Sequence, residues 1–229
     1  LCAYDTLWSI KFDEIIQESR AVVVRGETGS GKSTQLTQYL SELSLYYKTK
    51  TNNRPKKVIC TQPRKIAAVS IAERVAFEYG FGINTEKTSP IGKYVGYRVG
   101  GKNKVFKKFN LIEYMTEEKF LNLISENRLD LSETFAIVVD EAHERNINTD
   151  LIIGILKDKI ADFNDLKVVI TSATIEPKKF CEFYFECPYI EIPGKIFPVD
   201  VIYSPPSDKK EIFAAVVEKA IEIHLNEPI

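Results

Sequence analysis

The sequence predicts an α/β domain, a mostly parallel sheet covered by helices on both faces. Three observations carry that expectation. Short, nearly unbroken β-branched runs alternate along the chain with segments of helical period. A glycine-rich loop, Gly26 to Ser33, lies between the first run and the first helical segment. A pair of acids, Asp140 and Glu141, closes a later run. Such runs suit strands buried on both faces, and acids at strand ends look into the ligand crevice of such a sheet.

Ala21-Val22-Val23-Val24 is the first expected strand, and Lys32 to Leu43 is the helix behind it. Lys48 to Lys57 is polar, basic and interrupted by Pro55, so it reads as an inserted loop. Val58-Ile59-Cys60 forms the next strand. A helix follows over Lys65 to Tyr79, with Ile66, Val69, Ala72, Val75 and Ala76 at helical spacing. Thr116 is a fitting N-cap for a short helix ending at Ile124. Ala136-Ile137-Val138-Val139 is a third buried strand. A helix over Leu151 to Ile160 is expected behind Asn148 and Thr149 as caps. Lys167 to Thr171 is the fourth strand. Val199 to Tyr203 alternates, with Asp200 among apolar neighbours, and predicts an edge strand. Ile212 to Leu225 predicts a closing helix.

At 229 residues, 44% of them hydrophobic and 28% charged, the chain can bury a core of its own. That composition excludes disorder and coiled coil as the main state. No apolar run approaches the ~18 residues that span a bilayer. The start, Leu1 to Asp5, lacks the basic and apolar regions of a signal peptide. An intracellular location, nuclear or cytoplasmic, is therefore expected, with no membrane partner. The absence of an initiator Met suggests a chain cut from something longer. Four cysteines (Cys2, Cys60, Cys181, Cys187) form no C-x-x-C pair, and with only His143 and His224 there is no zinc constellation.

The net charge of -1 conceals a split. Residues 48–108 carry fifteen Lys and Arg against three acids, whereas residues 109–229 carry twelve against twenty-three. Such asymmetry on a near-neutral chain points to a local face for a polyanion.

Gly26-Glu27-Thr28-Gly29-Ser30-Gly31-Lys32-Ser33 fits G-x-x-x-x-G-K-[ST] and stands between a strand and a helix, the setting this motif needs. Its glycines let the backbone wrap a phosphate, and amide groups at the helix start point at it. Lys32 would reach the β- and γ-phosphates and Ser33 would ligate Mg²⁺. Asp140, at a strand's C-terminal end, would hold Mg²⁺ through water, and Glu141 would be the general base for the attacking water. Thr171-Ser172-Ala173-Thr174 ends another strand and gains meaning only in that company.

GETGSGKS at Gly26, TQPRKIAA at Thr61 to Ala68, YMTEE at Tyr114 to Glu118, DEAHER at Asp140 to Arg145 and SAT at Ser172 to Thr174 occur in that order. Together they resemble motifs I, Ia, Ib, II and III of the DEAH-box RNA helicases, and Ile192 to Val199 is similar to the stretch that follows motif III there. The resemblance implies that residues 1–208 form the first RecA-like domain of a superfamily 2 helicase. Residues 209–229 would be a helix leading toward a second RecA-like domain. It implies that Glu27, Thr28, Gly29, Ser30, Gly31, Lys32, Ser33 and Thr34 bind ATP with Mg²⁺. Lys32, Asp140, Glu141 and His143 would serve catalysis, Ser33 and Asp140 holding the metal. Arg74 would stack on the base, a contact that reads no base edge and leaves nucleotide choice loose. No adenine-reading glutamine motif precedes Gly26. Pro63, Arg64, Lys65 and Thr116 would hold single-stranded RNA by its backbone, and His143, Ser172 and Thr174 would couple hydrolysis to domain movement. The SAT strand is expected between the strands bearing the glycine-rich loop and Asp140, close enough for Ser172 and Thr174 to feel Asp140.

The chain departs from the family pattern twice. Glu117 and Glu118 follow Thr116 where Asp-Gly is usual, which sets two acids beside the expected phosphate path. Arg98-Val99-Gly100-Gly101 replaces an RNA-touching Arg–Phe turn, leaving Arg98, Lys102 and Lys104 as candidates for that contact. Two other readings compete. A P-loop kinase would share the phosphate cradle but leaves TQPRK and SAT unexplained. An RNA-binding scaffold with a relic site is opposed by intact Lys32, Ser33, Asp140 and Glu141.

Overall fold

The computed structural model describes residues 3–27, 29–51, 55–80, 93–105, 110–173, 177–192, 200–203 and 212–226. Thr28, Thr174 and Val199 lie outside the described residues. The chain divides into two compact units, Leu1–Gly194 and Lys195–Ile229.

In the first unit α1 (Ala3–Glu18) leads into β1 (Ala21–Gly26), α2 (Lys32–Thr51), β2 (Lys57–Gln62) and α3 (Lys65–Gly80). A hairpin follows, β3 (Val95–Val99) and β4 (Lys102–Lys104), then β5 (Ile112–Thr116) and α4 (Glu117–Ser125). β6 (Thr134–Val139) ends in a 3₁₀ turn over Ala142–Glu144, followed by α5 (Ile147–Asp162), β7 (Lys167–Ser172), α6 (Pro177–Phe183) and β8 (Tyr189–Ile192). The described part of the second unit includes α7 (Ile212–Asn226).

Eight strands form one sheet in the order β4-β3-β5-β2-β6-β7-β1-β8. Every described pairing is parallel except β3 with β4. The unbroken apolar runs have the expected cause: both faces are covered. Val22 and Val24 of β1 pack with Phe12 and Ile16 of α1, Leu36 and Leu40 of α2 and Ala72 of α3. Ala21 and Val23, one pleat away, face Ile152 and Leu156 of α5 and Phe180 of α6. β7 lies between β1 and β6, pairing with both, as the resemblance implied.

Four expectations need correction. Lys48 to Thr51 continue α2 rather than opening a loop. Elongating a formed helix is easy, and nothing before Pro55 forces it to stop. The cap of α5 is Asn146, whose Oδ1 accepts from Thr149 N at 2.9 Å, so the helix begins earlier than predicted. Asp200 to Tyr203 form no strand, and all four are exposed. The edge position belongs to β8, whose backbone pairs with Val23 to Gly26. Finally β3 and β5 were not anticipated as strands, because each carries a charge where an apolar run was sought. Arg98 of β3 and the buried Glu113 of β5 form an ion pair on one sheet face. That contact engages Arg98 with Glu113, whereas Lys102 and Lys104 are exposed.

Candidate functional site

The glycine-rich loop leaves the C-terminal end of β1, and its two glycines need their freedom. Gly29 and Gly31 have φ of +85° and +84°, a region costly for other residues. The chain then turns into α2 at Lys32. Lys32 is only 4% exposed, and its Nζ donates to the carbonyls of Gly26 at 2.5 Å and Glu27 at 2.7 Å. Burial pulls its pKa down, while Glu141, Asp140 and Glu27 hold it up. The ammonium is thus drawn into the space that also faces both acids. Ser30 Oγ is buried and lacks a hydrogen-bond partner among the described residues. An orphaned hydroxyl in a cradle of amides and one lysine suits a phosphate oxygen.

Asp140 follows β6 and is 1% exposed. Its Oδ1 accepts from the Glu141 amide at 3.0 Å and from the Thr171 hydroxyl; its Oδ2 accepts from Gln62 Nε2 at 2.6 Å. The carboxylate is fixed from three directions. Ser33 and Asp140 are hard oxygen donors, the kind Mg²⁺ takes alongside water and phosphate oxygens. The residues present therefore fit Mg²⁺ with a nucleotide. Among the described residues no group of three His, Cys, Asp or Glu could hold a metal ion.

Glu141 adopts left-handed φ of 54° and Arg145 one of 47°, bounding the turn that carries His143. Strained backbone at a functional turn is sustained by the packing around it. Glu141 Oε2 lies 3.2 Å from His143 Nδ1. Burial and Asp140 push the Glu141 carboxyl above the ordinary range, with His143 and Lys32 opposing. His143 Nδ1 also lies 3.4 Å from the Ala173 amide, so the DEAH turn touches the backbone after β7.

The strand pleat decides which hydroxyl meets Asp140. Thr171 shares a face with Val169, toward the glycine-rich loop; Ser172 alternates with it and shares the face of Val168 and Ile170. Thr171, quoted with its segment but given no role from the sequence, makes the direct bond. Thr174 lies outside the described residues.

Arg74 is exposed on α3 and pairs with Glu78, Nε to Oε1 at 2.9 Å. Glu78 Oε2 in turn accepts from Gln35 and Gln38 of α2. Arg74 is therefore bound, through Glu78, to the helix that starts at Lys32.

Pro63, Lys65 and Thr116 line one groove of about 630 Å³, together with Glu117, Glu118, Arg145, Asn146, Ile147 and Asn148. It opens where β2 and β5 end, the two strands being neighbours. Arg64 lies on the surface beside it, 3.2 Å from Glu144. Lys65 approaches the β3–β4 turn, where a Cβ on Gly100 would meet its Nζ at 3.1 Å.

Of the two acids beside this groove, Glu117 is turned inward. It is 3% exposed, and its Oε1 accepts from Thr149 Oγ1 at 2.6 Å, tying α4 to the first turn of α5. Thr116 caps α4 by accepting from Lys119 N at 3.4 Å. Glu118 alone of the pair is exposed. Burial raises the Glu117 pKa, with Thr149 and Asn146 opposing. Glu117→Ala is expected to cost about 1–3 kcal/mol by orphaning Thr149. Glu117→Gln keeps an acceptor and avoids the buried charge. A carboxyl whose folded pKa is raised loses stability as pH rises from the unfolded value through the folded one. The Gln variant should therefore gain on the wild type between acid and neutral pH in urea melts, and a parallel pH dependence would contradict the assignment.

Among the described residues no helix is long and apolar enough to cross a membrane. Over 217 residues the chain is 36% identical to the Pre-mRNA-splicing factor ATP-dependent RNA helicase prp22 of Schizosaccharomyces pombe. That alignment covers 95% of this chain and 17% of that protein. Residues 10–183 match the family described as DEAD/DEAH box helicase. The sheet order, the glycine-rich loop and the acids after β6 are those of a RecA-like P-loop fold, and this chain belongs to the DEAD/DEAH box helicase family.

Proposed function

We propose that this chain is the first RecA-like motor domain of an intracellular ATP-dependent RNA helicase. The observation that carries the reading is one end of the sheet, where the parallel strands finish, holding two adjoining sites. A phosphate cradle with two acids stands at β1 and β6, and a groove lined by Pro63, Lys65 and Thr116 stands at β2 and β5. Glu27 to Thr34 surround the triphosphate, and Lys32 meets the charge of the β- and γ-phosphates. Ser33 and Asp140 hold Mg²⁺, which neutralises charge developing on the phosphoryl oxygens. Glu141 takes the proton of the attacking water. Arg74 stacks on the base without reading its edges, so ATP is bound with loose base selectivity. His143 and the segment from Ser172 to Thr174 report phosphate loss toward the RNA side.

Pro63, Arg64, Lys65 and Thr116 grip single-stranded RNA through its phosphates, which supply affinity without sequence information. The bond from Thr149 to Glu117 favours this, since it engages one of the two carboxylates in the groove wall. The similarity to a splicing helicase supports RNA as the polymer. The second RecA-like domain is the remaining partner, contributing arginines to the transition state and a second half of the RNA contacts.

The test is phosphate release by this chain and by the full-length protein, each with and without single-stranded RNA. The chain alone is expected to bind nucleotide yet turn it over barely at all, since arginines supplied by a partner are worth roughly 10³–10⁵ in related triphosphatases. The full-length protein is expected to be stimulated by RNA. Turnover by the chain alone at the full-length rate would defeat the two-domain reading. The absence of any RNA response in the full-length protein would defeat the helicase reading.

A further inference from the structure

The two strands that deliver the RNA-side residues also reach the nucleotide side. β2 ends at Gln62, immediately before Pro63 and Lys65; β5 carries Tyr114 two residues before Thr116. Gln62 is 1% exposed and spends its amide on Asp140 Oδ2, at 2.6 Å. Tyr114 is fully buried; its Oη donates to the Ser33 carbonyl at 2.9 Å and lies 2.6 Å from Thr37 Oγ1. With Tyr114 donating to Ser33, the Thr37 hydroxyl has two acceptors for its one proton, Tyr114 Oη and, at 3.1 Å, the Thr34 carbonyl. Neither side chain touches the surface, so neither can contact RNA or nucleotide itself.

We propose that Gln62 and Tyr114 are positioning residues that carry RNA contact at Pro63–Lys65 and Thr116 to the metal-holding residues Asp140 and Ser33. This rests on the function proposed above. A buried polar contact is a good transmitter because it has few alternatives. A carboxylate oxygen or helix carbonyl that loses its donor in a dry interior has no water to replace it. A shift of β2 or β5 when phosphates are gripped must therefore move Asp140 and Ser33 or break these bonds. Thermodynamic coupling between the two ligands follows, and it is reciprocal. The two struts stand on different strands and meet different metal residues, so each tests the idea separately.

The experiment measures binding rather than turnover. In the full-length protein, the affinity for a fluorescent ADP analogue with Mg²⁺ is titrated with and without saturating oligouridylate. The ratio of the two affinities is the coupling factor. The reverse titration, RNA with and without nucleotide, must return the same factor. Factors of about 5–150-fold are ordinary for coupled sites. Gln62→Met, close in length but without a donor, and Tyr114→Phe, without the hydroxyl, are each expected to bring the factor toward one. Both binary affinities should persist, and thermal melts establish that the variants fold; if Gln62→Met does not, Tyr114→Phe decides alone. A variant that loses affinity for both ligands equally while keeping the wild-type factor would show a purely structural role and overturn the proposal. A wild-type protein that binds nucleotide but no RNA would instead defeat the helicase reading, and the proposal with it.

Discussion

Glu141→Gln is expected to abolish most RNA-stimulated hydrolysis in the full-length protein while leaving nucleotide affinity nearly unchanged. A positioned general base contributes a factor of about 10²–10⁴. The amide keeps the shape of the side chain and loses only the ability to take a proton. The geometry supports the base role proposed for this carboxylate. The left-handed turn aims it beside Asp140, and burial with the Asp140 charge raises its pKa. The base works when deprotonated. Hydrolysis should therefore fall as pH drops and the carboxylate takes up a proton. The Gln variant should lack this acid limb in whatever activity remains. A variant that retains the limb would assign it to another group.

Lys32→Ala should act on the ground state instead. The ammonium is nearly buried, and among the described residues its hydrogen bonds go to carbonyls of its own loop. Bonds from a charged donor contribute about 1.5–3 kcal/mol each, and each 1.4 kcal/mol is a factor of about ten in affinity. Losing the phosphate contact should therefore weaken nucleotide binding by roughly 10–100-fold. Calorimetric titration of this chain with Mg²⁺ and nucleotide measures it. Equal losses of affinity in Lys32→Ala and Glu141→Gln would contradict the division of roles, because only one of the two is assigned to the bound phosphates.

Local segments were legible where the cause is local. The helix after the glycine-rich loop, α3 and α7 follow from periodicity, and the α4 cap from a threonine before two acids. The failures share a cause as well. Lys48 to Thr51 show only that polar residues need not break a helix once it is running. β3 and β5 were hidden by Arg98 and Glu113, two charges that are tolerable in a sheet only because each is the other's partner. Neither residue signals the pairing, since fifteen positions separate them.

By itself the sequence determined the strand–loop–helix carrying Lys32, the acids at the end of β6 and the basic segment around Pro63 to Lys65. Those features depend on residues close along the chain, whose hydrogen bonding and period are fixed by near neighbours. The tertiary structure alone decided which side chains meet across the sheet. The insertion of β7 between β1 and β6 put Thr171 on Asp140, and the pleat chose it over Ser172. The adjacency of β2 and β6 gave Gln62 the same carboxylate, and the packing of α2 over β5 joined Tyr114 to Ser33. The meeting of α4 with α5 tied the Glu117 carboxylate, in the groove wall, to Thr149. Strand order and register govern all of these contacts. They are set by how whole faces bury against one another, a long-range balance that no short window of sequence contains.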